Sequence, residues 1–599
     1  MSAHKIFLGL AIAAGAVLAY HYAYLLGLIT YGVAVCGLCN WWMSAFMRAG
    51  PRTSRQIPQQ RIAHCQQLSA LELSKAYREG QLSCVEVVST FIEHIKAVNP
   101  YINALVFDCF DEAMEAAVEA ERVWAAWREH KDPKRMPSWL LGVPCTIKEC
   151  MECRGCPNTS GNPNRRRIIS EVDSPVVKNF RDAGAIILGV TNTSELCMWY
   201  ESSNYMYGIT SNPYDTRCLV GGSSGGEGAA AGAAFSTFSL GSDIGGSIRM
   251  PAFFNGVYGH KASPHYITNA GQYPSAKTSA NHYMATGPIC RFPEDLIPLS
   301  QVAARGGFRL DPVVYPPCSP LKKVLDLNHH PLRVYALEDY GLPGIHVSES
   351  QIEAVHTAAE ALRERYNAKV TYVNVRTPSR STGGAVPPEF QSFARILPMW
   401  VSVLTKDPTE AKFSLFMSQG HVGGVNWCAE AVRWVFGRSH HTLPAIALCV
   451  LETAELVMPR WLKFSCDEEL LPFKMGLESL LAVDGIIIAP TFPSAAPRHH
   501  FPLWNPFQFQ YTAAFNVLQL PATACPVWPG SLMANRRKSI SIHEERSMRL
   551  PHDFHLPKGV QVVSATHQDE LCISVAIALK DALGGYRYPS WAMLEGTDY

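Results

Sequence analysis

The hydrophobic and polar positions along the chain divide it into three regions. Residues 6–47 form a long apolar stretch without a single Lys, Arg, Asp or Glu. A polar segment over residues 48–63, rich in Arg, Gln and Pro, is interpreted as a linker. Over residues 64–599, short apolar runs typical of buried strands alternate with segments of helical periodicity. The pattern therefore predicts a membrane anchor, a linker and one large globular domain.

The apolar stretch at residues 6–47 is longer than the apolar region of about 7–15 residues in a signal peptide. A single spanning helix needs about 20 residues, so the stretch forms either one helix with an apolar overhang or a hairpin that breaks near His21. Four arginines follow it by residue 61, whereas one lysine precedes it. This asymmetry predicts a single-pass or monotopic membrane protein whose large domain faces the cytosol. The endoplasmic reticulum and the lipid droplet are both compatible with such an anchor.

In the globular region, the periodicity predicts alternating helices and strands. Helical periodicity covers residues 68–98, with an interruption near residue 80. Buried strands are expected at residues 143–147 and 185–190, and again at 484–490 and 556–563. Alternation of this kind indicates an α/β fold in which helices cover both faces of a sheet.

Two glycine-flanked serine clusters stand close together within residues 219–251. The first reads Gly-Gly-Ser223-Ser224-Gly-Gly and the second reads Asp243-Ile-Gly-Gly-Ser247. Glycine lets the backbone approach a substrate closely, so such loops can aim backbone N–H groups at a developing anion. The serine hydroxyls are then candidates for a nucleophile and a proton relay. A flexible linker is the alternative, but bulky apolar residues between the glycines argue against it.

Other glycine-rich motifs fit this segment poorly. No lysine follows the glycines as a phosphate-binding P-loop requires, and the GxSxG turn of α/β-hydrolases is absent around both serine clusters. Residues 226–231 satisfy a loose dinucleotide-binding pattern, but no acidic residue stands about twenty positions further on. The segment is therefore best interpreted as a catalytic serine site.

Lys148 is the candidate base for such a serine. It stands at the end of the apolar run that begins at Leu141, whereas none of the 21 histidines lies in or beside a comparable glycine-rich turn. An exposed lysine is an ordinary surface charge, but burial favours the uncharged amine, which can accept a proton. Glu149 could pair with Lys148, but neighbouring strand residues point to opposite faces of the sheet.

These motifs together resemble the amidase signature family of hydrolases. The resemblance is carried by Gly142-Val-Pro with Lys148, by residues 221–227 and by residues 243–251, and it extends from about residue 68 to about residue 586. It implies the amidase signature fold, a mixed twisted β-sheet covered by helices on both faces. It also implies no cofactor and no metal.

The resemblance implies a Ser–Ser–Lys triad. Ser247 is expected to attack the amide carbonyl, and Ser223, held by a cis peptide bond, is expected to bridge Ser247 and Lys148. Asp243 and Arg249 are interpreted as structural supports of the loop, with direct substrate contact as the alternative. The oxyanion hole is expected from four consecutive backbone N–H groups, those of Ile244, Gly245, Gly246 and Ser247.

Within the family, the resemblance is to the membrane-anchored fatty acid amide hydrolases. Residues 195–204, 251–261 and 496–500 carry it. It implies that the protein cleaves fatty acid amides to fatty acid and amine through an acyl-enzyme, with lipid amides and membrane lipids as partners and a homodimer left open. An amidase or esterase for smaller substrates and an inactive lipid-binding protein remain alternatives. The expected substrate contacts are Met198, Trp199, Tyr200 and Ser224.

The middle of the chain matches the family only loosely. Residues 393–438 carry bulky apolar side chains with arginines nearby. This composition fits a second membrane-contacting surface, and it fits ordinary helix packing equally well.

Charge and cysteine content narrow the remaining alternatives. A net charge of +1 gives no long-range field that would attract a nucleic acid. The 18 cysteines are scattered, which is typical of a reducing compartment. Cys150, Cys153 and Cys156 have iron–sulfur spacing, but the fourth cysteine of that motif is absent. Free loop thiols are therefore the expected state of these three residues.

Overall fold

The structure is a computed structural model, and residues 56–599 form one compact unit. The predicted anchor at residues 6–47 lies outside the described residues. Among the helices of the described residues, none is both long and apolar enough to cross a membrane. The described residues are 55–276, 280–305, 321, 323–377, 385–404, 413–419, 424–454, 460–528 and 555–595, of which 451–454 and 460–467 are described by their backbone alone.

The helices of the described residues are, in chain order, α1 His64–Gln67, α2 Ala70–Glu79, α3 Cys84–Ile102, α4 Phe110–His130, α5 Pro175–Asp182, α6 Gly225–Gly232, α7 Arg249–Phe254, α8 Leu296–Ala303, α9 Glu349–Tyr366, α10 Ile396–Leu404, α11 Phe413–Met417, α12 Trp427–Val435, α13 Leu443–Ala454, α14 Arg460–Leu481, α15 Gln510–Val517 and α16 Asp569–Leu583. The strands are β1 Gln60–Ile62, β2 Leu105–Asp108, β3 Pro144–Lys148, β4 Ile186–Thr191, β5 Ser203–Asn204, β6 Gly208–Ile209, β7 Phe238–Asp243, β8 Tyr258–Lys261, β9 Ala285–Cys290, β10 Arg333–Asp339, β11 Lys369–Asn374, β12 Gly485–Pro490, β13 Ala522–Val527, β14 Lys558–Val563 and β15 Ala592–Leu594.

Eleven strands of the described residues form one mixed sheet, in the order β11-β10-β12-β14-β13-β8-β9-β7-β3-β4-β2. At one end, β11, β10 and β12 are parallel, and near the other end β7, β3 and β4 are parallel. The strands between these two groups pair antiparallel. The predicted mixed α/β fold is therefore confirmed.

Helices cover both faces of the sheet, as alternate residues of β12 show. Ile486 and Ile488 lie in the same buried cluster as residues of α9 and α16. Ile487 and Ala489, which point to the opposite face, pack with residues of α10 and α14. Both faces of this strand are therefore closed to water, which explains its continuous apolar sequence.

The predicted elements at residues 68–98, 143–147, 185–190, 484–490 and 556–563 are confirmed, with shifts of a few residues at their ends. The predicted linker is wrong at its end, because residues 60–62 form β1 and pair in parallel with β15. Ile62 is fully buried in that pairing. A strand of three residues is too short to show period-two alternation in the sequence.

The middle of the chain contains one helix that is packed in the core and one helix with exposed apolar side chains. In α10, Ile396, Met399 and Val403 are buried in the core, which is ordinary helix packing. In contrast, Val432 and Val435 of α12 are 59% and 53% exposed. The apolar face of α12 is therefore open to its surroundings.

Candidate active site

Lys148 is the last residue of β3, and it is completely buried. The strand lies between β4 and β7 with both neighbours parallel, so its carboxyl end faces the loops that follow them. The Lys148 Nζ atom donates to the Ser223 Oγ atom at 2.7 Å and to the Ser242 Oγ atom at 3.2 Å. The amine is thus held by two hydroxyl groups.

The nearby carboxylates have partners other than Lys148. Glu149 accepts hydrogen bonds from the backbone N–H groups of Thr159 and Ser160, each at 2.7 Å, so it points away as strand alternation predicts. Glu227 accepts a hydrogen bond of 2.5 Å from the Thr146 hydroxyl. Burial raises the pKa of Glu149 and that of Glu227 to about 7.

No salt bridge of the described residues includes Lys148. Both hydrogen bonds of its amine go to serine hydroxyls, and neither goes to a carboxylate. No carboxylate of the described residues therefore competes with Ser223 for a hydrogen bond from this amine.

Ser223 is fixed by the backbone around it. The peptide bond between Gly222 and Ser223 is cis, as the resemblance implies. The Ser223 carbonyl accepts from the hydroxyls of Thr193 and Ser202, at 2.8 and 3.1 Å. A Cβ atom on Gly222 would lie 2.4 Å from the carbonyl oxygen of Trp199, so only glycine fits this approach. The side chain of Ser223 is thereby held against Lys148.

Ser247 lies on the second loop, which is tied to the first by a hydrogen bond of 3.2 Å from the Ser224 N–H to the Ser247 carbonyl. Ser247 is 7% exposed, whereas Ser223 is 1% exposed and Lys148 is fully buried. The Ser247 hydroxyl makes no hydrogen bond to any described residue, so the Lys148–Ser223 half of the predicted relay is formed and the Ser223–Ser247 half is not. Of the three side chains, that of Ser247 is the most accessible to a substrate.

Other elements fix the direction of the peptide groups in residues 244–247. The Trp400 indole N–H donates to the Ile244 carbonyl at 3.1 Å, and the Thr512 hydroxyl donates to the Gly245 carbonyl at 2.7 Å. The Gly246 carbonyl accepts from the Met250 N–H at 2.8 Å. Because a trans peptide group is planar, each held carbonyl sends the following N–H in the opposite direction.

The predicted oxyanion hole needs one correction. The Gly246 N–H donates to the Asp243 carboxylate at 2.7 Å, so it is already engaged. The N–H groups of Ile244, Gly245 and Ser247 donate no hydrogen bond within the described residues. Three of the four predicted donors therefore remain available to an anion. The glycine-rich sequence alone did not indicate that the Asp243 carboxylate would accept a hydrogen bond from one of the four predicted donors.

Asp243 and Arg249 form a completely buried ion pair with an N–O distance of 3.0 Å. The Asp243 carboxylate also accepts from the Ile248 N–H at 3.1 Å. Burial alone would raise the pKa of Asp243, but the Arg249 guanidinium outweighs it and lowers that pKa to about 2. Neither side chain is exposed to a substrate, and the geometry matches a role in holding the loop.

Of the four predicted substrate contacts, Met198 and Trp199 are partly exposed. Tyr200 is only 3% exposed, and its hydroxyl donates to the carbonyl of Asn505. Ser224 is fully buried, and its hydroxyl donates to the Ser242 carbonyl at 3.2 Å. The predictions for Tyr200 and Ser224 are therefore corrected, because their hydroxyls are engaged inside the protein.

Three functional residues were missed from the sequence. Ser242 supplies the second hydroxyl at Lys148, and its position at the end of a strand next to β3 was the available signal. Trp400 and Phe509 stand beside Gly245, with ring centroids 4.9 Å apart. They come from segments distant in the chain, and nothing in their own sequence placed them at this loop.

No group of three or more His, Cys, Asp or Glu side chains in the described part of the chain is arranged to hold a metal ion. The Amidase family matches residues 86–411, which are 326 of the 599 residues, and the chain belongs to this family. The protein is therefore an amidase, an enzyme that hydrolyses amide C–N bonds.

Two similar proteins have names that specify the amide. The chain is 38% identical to fatty-acid amide hydrolase 2-B of Danio rerio, over 87% of this chain and 90% of that protein. It is 36% identical to fatty-acid amide hydrolase 2 of Homo sapiens, over 91% and 94% respectively. Among solved structures, a fatty acid amide hydrolase matches with a TM-score of 0.64 and 21% identity, over 87% of this chain and 86% of that chain.

We expect Gly246→Ala to damage the loop far more than Gly245→Ala. Gly246 has a φ of +122°, and a Cβ atom there would lie 1.9 Å from the Thr512 hydroxyl, whereas a Cβ atom on Gly245 would meet nothing closer than 3.5 Å. Gly246→Ala should reduce amide turnover by roughly 100-fold or more, because the oxyanion donors must shift. It should also lower the thermal midpoint, which Gly245→Ala should leave nearly unchanged. Equal thermal midpoints for the two variants would contradict this geometry.

Proposed function

We propose that this amidase is a membrane-associated serine hydrolase that cleaves fatty acid amides through an acyl-enzyme, with Ser247, Ser223 and Lys148 as its triad. The observation that carries the proposal is the buried Lys148 amine, which is hydrogen-bonded to Ser223 and to no carboxylate. It lies behind a loop that presents Ser247 and three unengaged N–H groups.

In the first step, Ser247 attacks the carbonyl carbon of the amide. Its proton passes to the Ser223 hydroxyl, while the Ser223 proton passes to the Lys148 amine. The carbonyl oxygen becomes an anion, for which the N–H groups of Ile244, Gly245 and Ser247 are the proposed donors. One such donor contributes about 3–4 kcal/mol to transition-state stabilisation in other hydrolases, so three fixed donors supply a large part of the acceleration.

In the second step, the proton returns along the same path. The Lys148 ammonium donates to Ser223, and Ser223 donates to the nitrogen of the leaving group. The C–N bond then breaks, the amine departs and the acyl group remains on Ser247. Water hydrolyses the resulting ester by the same relay. An amine is a poor leaving group unless it is protonated, which explains why one base must act in both directions.

The relay requires Ser223 and Ser247 to approach each other when the substrate binds. Hydrogen bonds of this kind are often long in an unliganded site and shorten in the substrate complex. The Ser223–Lys148 pair is buried and hydrogen-bonded, whereas Ser247 is 7% exposed and its hydroxyl has no hydrogen-bond partner among the described residues. In this proposal, the Ser247 side chain moves to close the relay.

An apolar substrate fits the surroundings of the site. Trp199, Trp400 and Phe509 are each partly exposed, and Trp400 and Phe509 stand beside Gly245. These two aromatic rings form an apolar wall beside the proposed oxyanion hole. The names of the similar enzymes from Danio rerio and Homo sapiens, which specify fatty-acid amides, support the same substrate class.

The proposed membrane association rests on two parts of the chain. One is the apolar stretch of residues 6–47. The other is α12, where Val432, Val435 and the following Phe436 are exposed beside Arg433. Apolar side chains with basic neighbours suit the surface of a bilayer. The Trp434 indole N–H donates to the Tyr205 hydroxyl at 3.2 Å, which ties α12 to the segment that follows Trp199.

Ser247→Ala tests the nucleophile. A fluorophosphonate probe should label the wild-type protein and fail to label this variant, because the attacking oxygen is gone. Amide turnover should fall by at least about 1,000-fold. A circular dichroism melt should match that of the wild type, which confirms that the fold is kept. Persistent labelling of Ser247→Ala would place the nucleophile elsewhere, and an unlabelled wild type would favour the inactive lipid-binding alternative.

Lys148→Ala tests the two-way relay. It should reduce amide turnover by roughly 100-fold or more, and ester turnover less, because an alcohol leaves with less help from a proton. Ser242→Ala is the matched control, since it removes the other hydroxyl at the amine but no member of the relay. The measurement is kcat/KM for a matched amide and ester with the same acyl chain. Equal losses for the two substrates would count against the relay.

Removal of residues 1–47 tests the anchor. The shortened protein should sediment less with phospholipid vesicles but hydrolyse a water-soluble amide at nearly the full rate, because the catalytic unit begins beyond these residues. Comparison of long-chain with short-chain amides on the full-length protein separates the proposed substrate class from smaller amides. Unchanged sedimentation with vesicles would contradict the anchor.

A further inference from the structure

Three thiols that take no part in the proposed relay lie together. The Cys109 Sγ atom is 3.3 Å from the Cys156 Sγ atom, and the Cys156 Sγ atom is 3.6 Å from the Cys153 Sγ atom. All three are free thiols. The motif in the sequence suggested a group of Cys150, Cys153 and Cys156, but the structure replaces Cys150 with Cys109 from a different element. These three residues, Cys109, Cys153 and Cys156, are termed the thiol cluster.

One member of the thiol cluster, Cys109, is among the residues that line a cavity of about 210 Å³. The cavity exists because the α4 residues that line it, Ala113, Ala116 and Ala120, have small side chains. Cys109 lines the cavity and is partly exposed, whereas Cys153 and Cys156 are buried behind it. A small molecule can therefore reach the sulfur of Cys109 first.

We propose that the thiol cluster is a peroxide-reactive site, in which Cys109 is the thiol that a hydroperoxide oxidises and Cys156 is the resolving thiol that closes a Cys109–Cys156 disulfide. The proposal is independent of the catalytic serines. It rests on the position of Cys109 at the cavity and at the start of a helix, and on the short distance to Cys156.

The surroundings of Cys109 favour its thiolate. Cys109 is the N-cap residue of α4, a helix of 21 residues, and the N-terminus of a helix carries partial positive charge. A hydrogen bond with the Cys156 thiol lowers the pKa of Cys109 most strongly, and Arg181 also lowers it. Burial and the carboxylates of Glu112 and Asp108 oppose this shift without reversing it.

The other two thiols have different environments. Hydrogen bonds with Cys109 and Cys153 raise the pKa of Cys156. The Arg181 guanidinium donates to the Cys153 Sγ atom at 3.6 Å, but Cys153 has no exposed surface. A partly exposed thiol with a lowered pKa, 3.3 Å from a second thiol, is the arrangement of an oxidation-sensitive pair.

The reaction balances with one hydroperoxide. The Cys109 thiolate attacks the outer oxygen of the hydroperoxide, the O–O bond breaks, and an alcohol or water leaves with the proton that the thiol lost. Cys109 becomes a sulfenic acid. The Cys156 sulfur then attacks the Cys109 sulfur, and the departing hydroxyl combines with the Cys156 proton as water. The two thiols lose two electrons in total, and the hydroperoxide gains them.

The disulfide would connect the beginning of α4 to the loop that follows β3. That loop begins at Glu149, directly after Lys148 at the end of β3. The Glu149 carboxylate accepts hydrogen bonds from the N–H groups of Thr159 and Ser160. The proposed modification site is therefore one short loop away from the amine of the candidate active site.

The test uses the full-length protein and tert-butyl hydroperoxide at neutral pH. After brief exposure, free thiols are alkylated and peptides are mapped by mass spectrometry without reduction. The expected product is a Cys109–Cys156 linked peptide. It should form at least about tenfold faster than oxidation of Cys428, a fully separate and exposed thiol on α12, because thiolate character controls the rate. Oxidation of Cys428 at an equal or higher rate would overturn the proposal.

Two variants separate the roles inside the thiol cluster. Cys156→Ser should stop the reaction at the sulfenic acid, so that dimedone labels Cys109. Cys153→Ser should still form the Cys109–Cys156 disulfide. Dimedone labelling of another cysteine in Cys156→Ser, or a Cys153–Cys156 disulfide in the wild type, would contradict the assignment. Each of these measurements detects a chemically modified cysteine, so none depends on amide turnover.

Discussion

The structure depends most on the burial of the Lys148 amine among hydroxyl groups. A polar group is costly to bury without hydrogen-bond partners, and the Ser223 and Ser242 hydroxyls supply them to this amine. The three carboxylates nearest to this region are each held by other partners. Glu149 binds backbone N–H groups of the next loop, Glu227 binds Thr146, and Asp243 binds Arg249. None of the three carboxylates accepts a hydrogen bond from Lys148, whose amine donates to the hydroxyls of Ser223 and Ser242.

The second constraint is the direction of the backbone at residues 244–247. Trp400 and Thr512 donate hydrogen bonds to two successive carbonyls of this loop, those of Ile244 and Gly245. The Asp243 carboxylate accepts a hydrogen bond from the Gly246 N–H. These contacts come from three parts of the chain. They fix the peptide groups before a substrate arrives, so the remaining N–H groups need no reorganisation to meet an anion. The Asp243–Arg249 pair serves this loop, which accounts for its complete burial.

The sequence predicted the parts of the fold and the site that depend on local pattern. The strand that ends at Lys148 follows from an apolar run, and the three catalytic candidates follow from glycine-flanked serines and a lysine at a strand end. The rest depends on which distant segments meet. Trp400 and Phe509 lie more than 150 residues beyond Ser247, and their sequences resemble ordinary core segments. Likewise, the engagement of the Gly246 N–H depends on the conformation of Asp243, which periodicity does not reveal.

A crystal structure of the fluorophosphonate adduct is the most direct test of the proposed Ser247–Ser223–Lys148 triad and its oxyanion hole. The proposed triad predicts a bond between phosphorus and the Ser247 Oγ atom, with the phosphoryl oxygen within hydrogen-bond distance of the N–H groups of Ile244, Gly245 and Ser247. It also predicts that the Ser223 hydroxyl lies between the Ser247 and Lys148 side chains. An adduct on another residue would contradict Ser247 as the nucleophile, and a phosphoryl oxygen that points away from these N–H groups would contradict the proposed oxyanion hole.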